Sequence, residues 1–311
     1  MTTERVQDFT VENDRVDLPR GATARTKRVK VGWRGRQIIA LSQGDFRNYI
    51  YPVFTPSGIQ VTAESPIDHP HHQSVTIGAD HFNCRLPYSD DKFEEANYSF
   101  YVNYVFQGRA PGRIVSRTLE DTQIDEKHLQ LVQGLDWQGP EEWGAPNRRT
   151  VAVERRTIDV RVEEKYNLID IYTKISPTEW DLSIGPTRHA FFTIRIADGL
   201  RVVDGGALLD SEGRYSGDAI SGQSPQWVDA YGFIYDDWQV GVAVFPYPSV
   251  NAPYWGVADY GTITVNPLFY QPWELGVGDF VETGIRLVVH DGSPYEARIA
   301  DLYDDFSSSI K

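Results

Sequence analysis

The chain has 311 residues, 30 of them lysine or arginine and 44 aspartate or glutamate, a net charge of −14 that repels phosphate backbones and anionic membrane surfaces and argues against nucleic acid as a partner. A single cysteine, Cys84, excludes an intramolecular disulfide and a multi-cysteine zinc site, and it fits a reducing cytoplasm. There is no run of about 20 apolar residues to cross a bilayer, and residues 1–20 are too charged for a secretory signal.

Residues 1–22 are polar and end in Pro19-Arg20-Gly21-Ala22, which predicts a loose arm or one added edge strand ahead of a single large domain over residues 23–311. Strand signals begin near Thr23. Arg28 to Trp33 and Arg36 to Ser42 flank Gly35, and Ile50 to Phe54 stops at the turn Pro56-Ser57-Gly58. That turn leads to Asp68-His69-Pro70-His71-His72-Gln73-Ser74, followed by Gly78-Ala79-Asp80-His81-Phe82-Asn83, so four of the seven histidines crowd into one short segment. Imidazole is the common metal ligand and the usual proton carrier near neutral pH, and the crowding marks His69, His71 and His72 as candidate site residues. An extended backbone would put His69 and His71 on one face and His72 on the other, whereas Pro70 favours a turn that splays the rings around a common point. Asp80 and Asn83 follow closely enough to be candidate substrate contacts.

Between Leu86 and Asn97 the pattern lacks periodicity and predicts a surface loop. Short strands are expected at Ser99 to Phe106, Arg113 to Leu119 and Leu129 to Trp137, with Gly139 to Pro146 as a loop that could wall a cleft. Thr150 to Glu163 alternates as a half-buried strand does, and similar runs follow at Tyr166 to Ile175, His189 to Ile196, Trp227 to Tyr235, Val240 to Phe245, Gly261 to Val265 and Val281 to His290. So many strands with so little helix predict an all-β fold, a large antiparallel β-sandwich. The capping box Ser293-Pro294-Tyr295-Glu296 opens one C-terminal α-helix over about 294–308. Its stripe of Tyr295, Ile299, Leu302, Tyr303 and Phe306 would pack on the sandwich or on a second subunit of a homo-oligomer.

Gly185-Pro186-Thr187-Arg188-His189-Ala190 adds His189, the expected partner of the histidine segment, with Arg188 facing the opposite way if the stretch is a strand. Glu212 and Asp229 are candidate carboxylates to orient an imidazole. Tyr254 through Asn266-Pro267, with Trp255, Tyr260 and Asn266, suits a pocket wall that stacks on a substrate and hydrogen-bonds it. There is no Gly-x-Ser-x-Gly elbow, Walker loop or dinucleotide glycine fingerprint, which argues against a serine hydrolase, an NTPase and any nucleotide cofactor.

Arg47-Asn48-Tyr49-Ile50-Tyr51-Pro52-Val53, the Asp68 to Ser74 segment, Gly205-Gly206, Ser211-Glu212-Gly213, Trp227-Val228-Asp229 and Asp259-Tyr260-Gly261 through Asn266-Pro267 recur in the same order in the DUF6807 family, also labelled the PmoA family. From about Arg36 to His290 the chain resembles that family. The resemblance implies a soluble bacterial protein associated with carbohydrate catabolism, with a sandwich similar to the galactose-mutarotase-like supersandwich. Gln73, His189, Tyr247 within Pro246-Tyr247-Pro248, and Ala258 depart from the family's pattern, which implies an altered substrate with Tyr247 and His189 among its contacts.

These readings converge on a cytoplasmic enzyme acting on a polyhydroxylated or cyclic small molecule by hydrolysis, elimination or hydration, or isomerisation. In one form His69, His71 and His189 hold a divalent metal ion. In a metal-free form, that of a mutarotase-like epimerase, His71, His72 and His189 with Glu212 or Asp229 act as acid and base. A third reading, of another class, is a non-catalytic carbohydrate-binding protein whose histidines are structural.

Overall fold

Strict alternation along the strands decides the architecture. In Val75–Ala79 the side chains of Val75, Ile77 and Ala79 enter the apolar core while Thr76 faces away, and in Thr262–Asn266 the core takes Ile263 and Val265. The computed structural model of the protein describes residues 8–14, 26–89, 91–142, 144–235, 238–250 and 253–310, so most of the expected arm lies outside the described residues.

The strands build three sheets, two of eight strands and one of five. The first runs Phe9–Asp14, Lys27–Trp33, Arg36–Gln43, Asn48–Val53, Val75–Ala79, Ala190–Arg195, Thr262–Asn266, Tyr254–Ala258. The second runs Ala207–Asp210, Val228–Ile234, Trp238–Pro246, Val281–Asp291, Tyr166–Pro177, Thr150–Val162, His128–Gln138, Arg113–Gln123. Their inner faces share one apolar cluster that joins Ile39, Val53, Ile194 and Val265 of the first to Leu131, Ile158, Ile171 and Leu287 of the second. A large antiparallel β-sandwich is therefore the fold, as the alternation predicts. Its interior also holds Glu154, which accepts from Arg156 Nε (2.7 Å), Trp137 Nε1 (2.9 Å) and Thr173 Oγ1 (2.8 Å), while Arg156 Nη1 reaches Asn48 Oδ1 of the facing sheet at 3.1 Å. Both charges are paired and hydrogen-bonded, the condition under which burial is tolerable.

The five-stranded sheet carries two corrections. Residues expected to form a loop between Leu86 and Asn97 are an antiparallel hairpin, Phe82–Ser89 with Lys92–Ser99, whose second strand is mostly exposed and so lacks an apolar face to read. The chain expected as a strand from Ser99 to Phe106 instead leaves the sheet at Ser99 and becomes irregular. Tyr104 and Val105 are exposed there and Val102 is buried, and none of them joins a ladder.

The C-terminal helix spans Ile299–Ser309 and lies on the outer face of the second sheet, where Phe306 meets Phe245 (5.7 Å between ring centres) and Tyr247 (4.9 Å). Its start differs from the expected 294. The capping box does form, with Glu296 Oε2 accepting from Ser293 N at 2.8 Å, but Arg298 then takes a left-handed conformation (φ 59°) and the α-helix begins only after it. No helix of the described residues is long and apolar enough to cross a membrane.

Candidate active site

The outer face of the first sheet presents Thr262, Thr264, Tyr254, Gly256 and Ala258, the strand positions left over once the core has taken their neighbours. Three irregular segments rise around this floor, namely the histidine turn, the loop after Ser99 and the bend before Ala190, and together with the turn at Tyr260 they enclose a cleft of about 530 Å³. A larger hollow of about 640 Å³ lies elsewhere, lined by residues such as Tyr51, Gln60 and Glu64, but no histidine lines it. The chemistry-bearing groups select the smaller one.

Residues 69–72 form a turn, closed by His72 N donating to His69 O at 2.9 Å, and the three rings gather as Pro70 allows, at 4.6–5.8 Å between centres. His69 stacks on Tyr260 at 4.6 Å, and its Nδ1 lies 3.0 Å from Asp68 Oδ2. Asp68 is held in turn by Arg195 Nη2, 2.8 Å from both carboxylate oxygens. Burial works against ionisation of Asp68, but its hydrogen bonds with His69 and Arg195 outweigh it and hold the carboxyl at about 2. His72 is buried with both ring nitrogens at hydroxyls, Tyr101 (3.2 Å) and Thr262 (3.3 Å). Burial, then neighbouring imidazoles, lower His71 to about 4 and His72 to about 3, so both rings are neutral at physiological pH.

On the opposite wall His189 Nδ1 lies 2.8 Å from Asp80 Oδ2, and the Asp80 side chain is only 1% exposed. Thr187 Oγ1 donates to the other oxygen of Asp80 and accepts from His189 N at 3.0 Å. Asn266 fixes the bend from below, its Nδ2 donating to Thr187 O at 2.7 Å. The hydrogen bonds from His189 and Thr187 outweigh burial and keep Asp80 below its ordinary value, hence ionised. A carboxylate only accepts, so Nδ1 carries the proton; Arg188 Nε donates to Nε2 at 3.2 Å, so Nε2 offers its lone pair. The sequence pattern sent Arg188 and His189 to opposite sides of a strand. They precede the strand, in a bend, and both line the cleft.

Tyr101 connects the two walls, stacking on His189 at 5.2 Å and meeting the edges of His71 and His72. Gly78 makes its position attainable, because a Cβ there would stand 2.2 Å from Phe100 O. Arg47 then pins the loop through Nη2 to Val102 O at 2.7 Å. Neither Tyr101 nor Arg195 carries a motif that would have singled it out.

Several expected site residues lie apart from the cleft. Asp229 is fully buried in the second sheet and pairs with His290 Nε2 at 3.1 Å; Glu212 is exposed in a turn built by Asp210. Tyr247 donates to Asp170 at 2.8 Å beneath the C-terminal helix, Trp255 donates to Pro225 O at 3.1 Å inside the core, and Asn83 sits in the five-stranded sheet opposite Ser183. The carboxylate that orients His189 is Asp80, not Glu212 or Asp229. His71 packs with His69 and His72, whereas His189 is held across Tyr101 by Asp80, and among the described residues no three His, Cys, Asp or Glu side chains are arranged to hold a metal ion.

The sequence profile of a family of unknown function, DUF6807, matches residues 28–304. The chain belongs to that family. No curated protein matches this DUF6807 chain. Among solved structures it is similar to a galactose mutarotase related enzyme from Lactobacillus acidophilus, at 10% identity and a TM-score of 0.32, over 81% of this chain and 95% of that one. It is also similar to a 4-alpha-glucanotransferase from Thermococcus litoralis, at 10% identity and a TM-score of 0.32, over 93% of this chain and 42% of that one. Of the DUF6807 motifs, the Asp-His-Pro-His-His segment contributes His69 to the cleft lining, while Arg47, Asn48 and Tyr49 act as internal fasteners.

Proposed function

We propose that this protein is an enzyme that moves protons on a polyhydroxylated cyclic small molecule, in isomerisation or elimination, without a metal. The observation that carries the proposal is the pairing of two imidazoles in one cleft, each with Nδ1 at an aspartate: His69 with Asp68 and His189 with Asp80. One can take a proton from a substrate C–H or O–H through Nε2 while the other returns one, which is what interconversion of two isomers requires. Tyr260, Tyr254 and Phe269 give apolar ring faces for a cyclic substrate, and Thr262 and Thr264 give hydroxyls. Glycoside hydrolysis through paired carboxylates fits less well, since that chemistry needs two carboxyl groups at the bond being cut and none of the described residues lining the cleft is aspartate or glutamate.

The experiment is proton exchange in D₂O, followed by NMR over a panel of hexoses, their uronates and keto sugars. Deuterium entering a carbon position, or accelerated exchange between anomers, is the expected result, reduced about 100-fold or more in His189→Gln and His69→Gln. Unchanged rates in both variants would refute the assignment. Elemental analysis of tag-free protein accompanies it. A metal at one equivalent, required for activity, would replace this reading with the metal-assisted one, in which the two aspartates play the outer-sphere role they commonly have behind histidine ligands.

A further inference from the structure

We propose that the substrate of this cleft carries a carboxylate, and that Arg188 is the residue that binds it. The inference rests on the acid/base reading above for what happens next, but its own support is separate. In a chain with an excess of acidic residues, the described lining of the cleft contains one arginine, no lysine, no aspartate and no glutamate. The larger hollow shows the opposite balance, with Glu64 and Asp198 among its lining residues and neither arginine nor lysine. Asp68 and Asp80 stand behind the two imidazoles, Asp68 paired with Arg195 and Asp80 sealed from solvent, so the one formal charge on the described lining itself is the guanidinium of Arg188, and a recess whose accessible charge has one sign concentrates ligands of the other.

Arg188 is exposed and, among the described residues, has no carboxylate partner. The other arginine beside the cleft, Arg195, is buried and committed to Asp68. Arg188 instead spends its Nε proton on His189 Nε2 at 3.2 Å, the lone pair a substrate proton would need. A guanidinium binds a carboxylate through two parallel charge-assisted bonds, far better than it binds a neutral imidazole nitrogen. An arriving carboxylate thus draws Arg188 off His189, anchors the substrate and uncovers the base in one movement. A neutral sugar offers no such exchange, so Arg188 sorts acidic from neutral substrates as well as holding them.

The test follows the His189 ring nitrogens by ¹⁵N NMR in the full-length protein during titration with glycolate, D-glucuronate and D-galacturonate, with D-glucose and D-galactose as neutral counterparts. Glycolate is included because it probes the anion site independently of ring stereochemistry. The expected result is a saturable shift of the Nε2 resonance with carboxylates and none with the neutral sugars, and a loss of carboxylate affinity of about tenfold or more in Arg188→Gln. Arg188→Lys keeps the charge without the planar fork and is expected to fall between the two. Arg188 is exposed, so these variants are expected to keep the wild-type melting transition. Failure of every carboxylate to move the resonance, or an unchanged response in Arg188→Gln, overturns the inference. His189→Gln separates the two proposals: carboxylate binding, read from the Arg188 side-chain resonance, persists there even if proton exchange proves independent of His189.

Discussion

Asp80 and His189 lie 109 positions apart in the chain and meet at 2.8 Å, the carboxylate sealed beneath the ring and the ring at the wall of the cleft. Asp80 is thereby a positioning group: it never meets substrate, yet it decides which nitrogen carries the proton. Asp80→Asn replaces an obligate acceptor with a group that can also donate, and it removes the charge that stabilises a protonated ring. We expect proton exchange to fall about 100-fold or more with the circular dichroism spectrum preserved. An Asp80→Asn protein that exchanges protons at the wild-type rate would show that the pair is only a structural fastening.

Acid should loosen the fold through the histidine turn. The folded values of His72 (about 3) and His71 (about 4) lie below the ordinary 6.5, so the unfolded chain takes up these protons first. Their contribution is complete above about pH 6.5 and is lost as pH falls through the window toward the folded values. Asp68, held at about 2, adds a loss of the same sign at lower pH, whereas His290, raised because Asp229 outweighs its burial, loses its contribution on the alkaline side. Urea unfolding should therefore report about 2 kcal/mol less stability at pH 5 than at pH 7, with His72 the larger contributor because His71 is more exposed. His72→Gln should flatten that dependence; greater stability at pH 5 than at pH 7 would contradict the assignment.

Gly78→Ala tests how the Tyr101 loop is seated. A methyl group 2.2 Å from Phe100 O cannot be accommodated without moving the backbone of the loop. The expected cost is about 1–3 kcal/mol in chemical denaturation, together with loss of the Tyr101 ring contact to His189. Tyr101→Phe, which keeps the ring and removes only the hydroxyl at His72, should cost about 1 kcal/mol and leave the loop in place.

Asp229 and Glu212 should separate stability from turnover. Asp229→Asn leaves His290 buried without its counter-charge and should destabilise the protein by about 3 kcal/mol, with proton exchange by the folded fraction unchanged. Glu212→Ala, at an exposed turn, should alter neither by a measurable amount. A large loss of turnover in either variant would move the reaction out of the cleft.

The sequence displayed the sandwich because alternation in strands such as Thr150–Val162 is a local property, and it displayed the histidine turn because crowding is also local. The hairpin Phe82–Ser89 with Lys92–Ser99 escaped because its exposed strand has no apolar face. Asp80 was legible as a site residue, but its role was not. The sequence offers Asp80 as a substrate contact and Glu212 or Asp229 as the orienting carboxylate, because only the pairing of Val75–Ala79 with Ala190–Arg195 sets Asp80 beside His189. Tyr101 was invisible for a related reason: what selects it is the missing side chain of Gly78 on another strand.

The strand Thr262–Asn266 carries two independent messages in alternate letters. Ile263 and Val265 speak to the interior, while Thr262 and Thr264 turn to the cleft, Thr262 also touching His72. An exchange at Thr264 can thus alter what the cleft accepts while the packing of Ile263 and Val265 is untouched, so recognition and folding are written at separate positions of one strand.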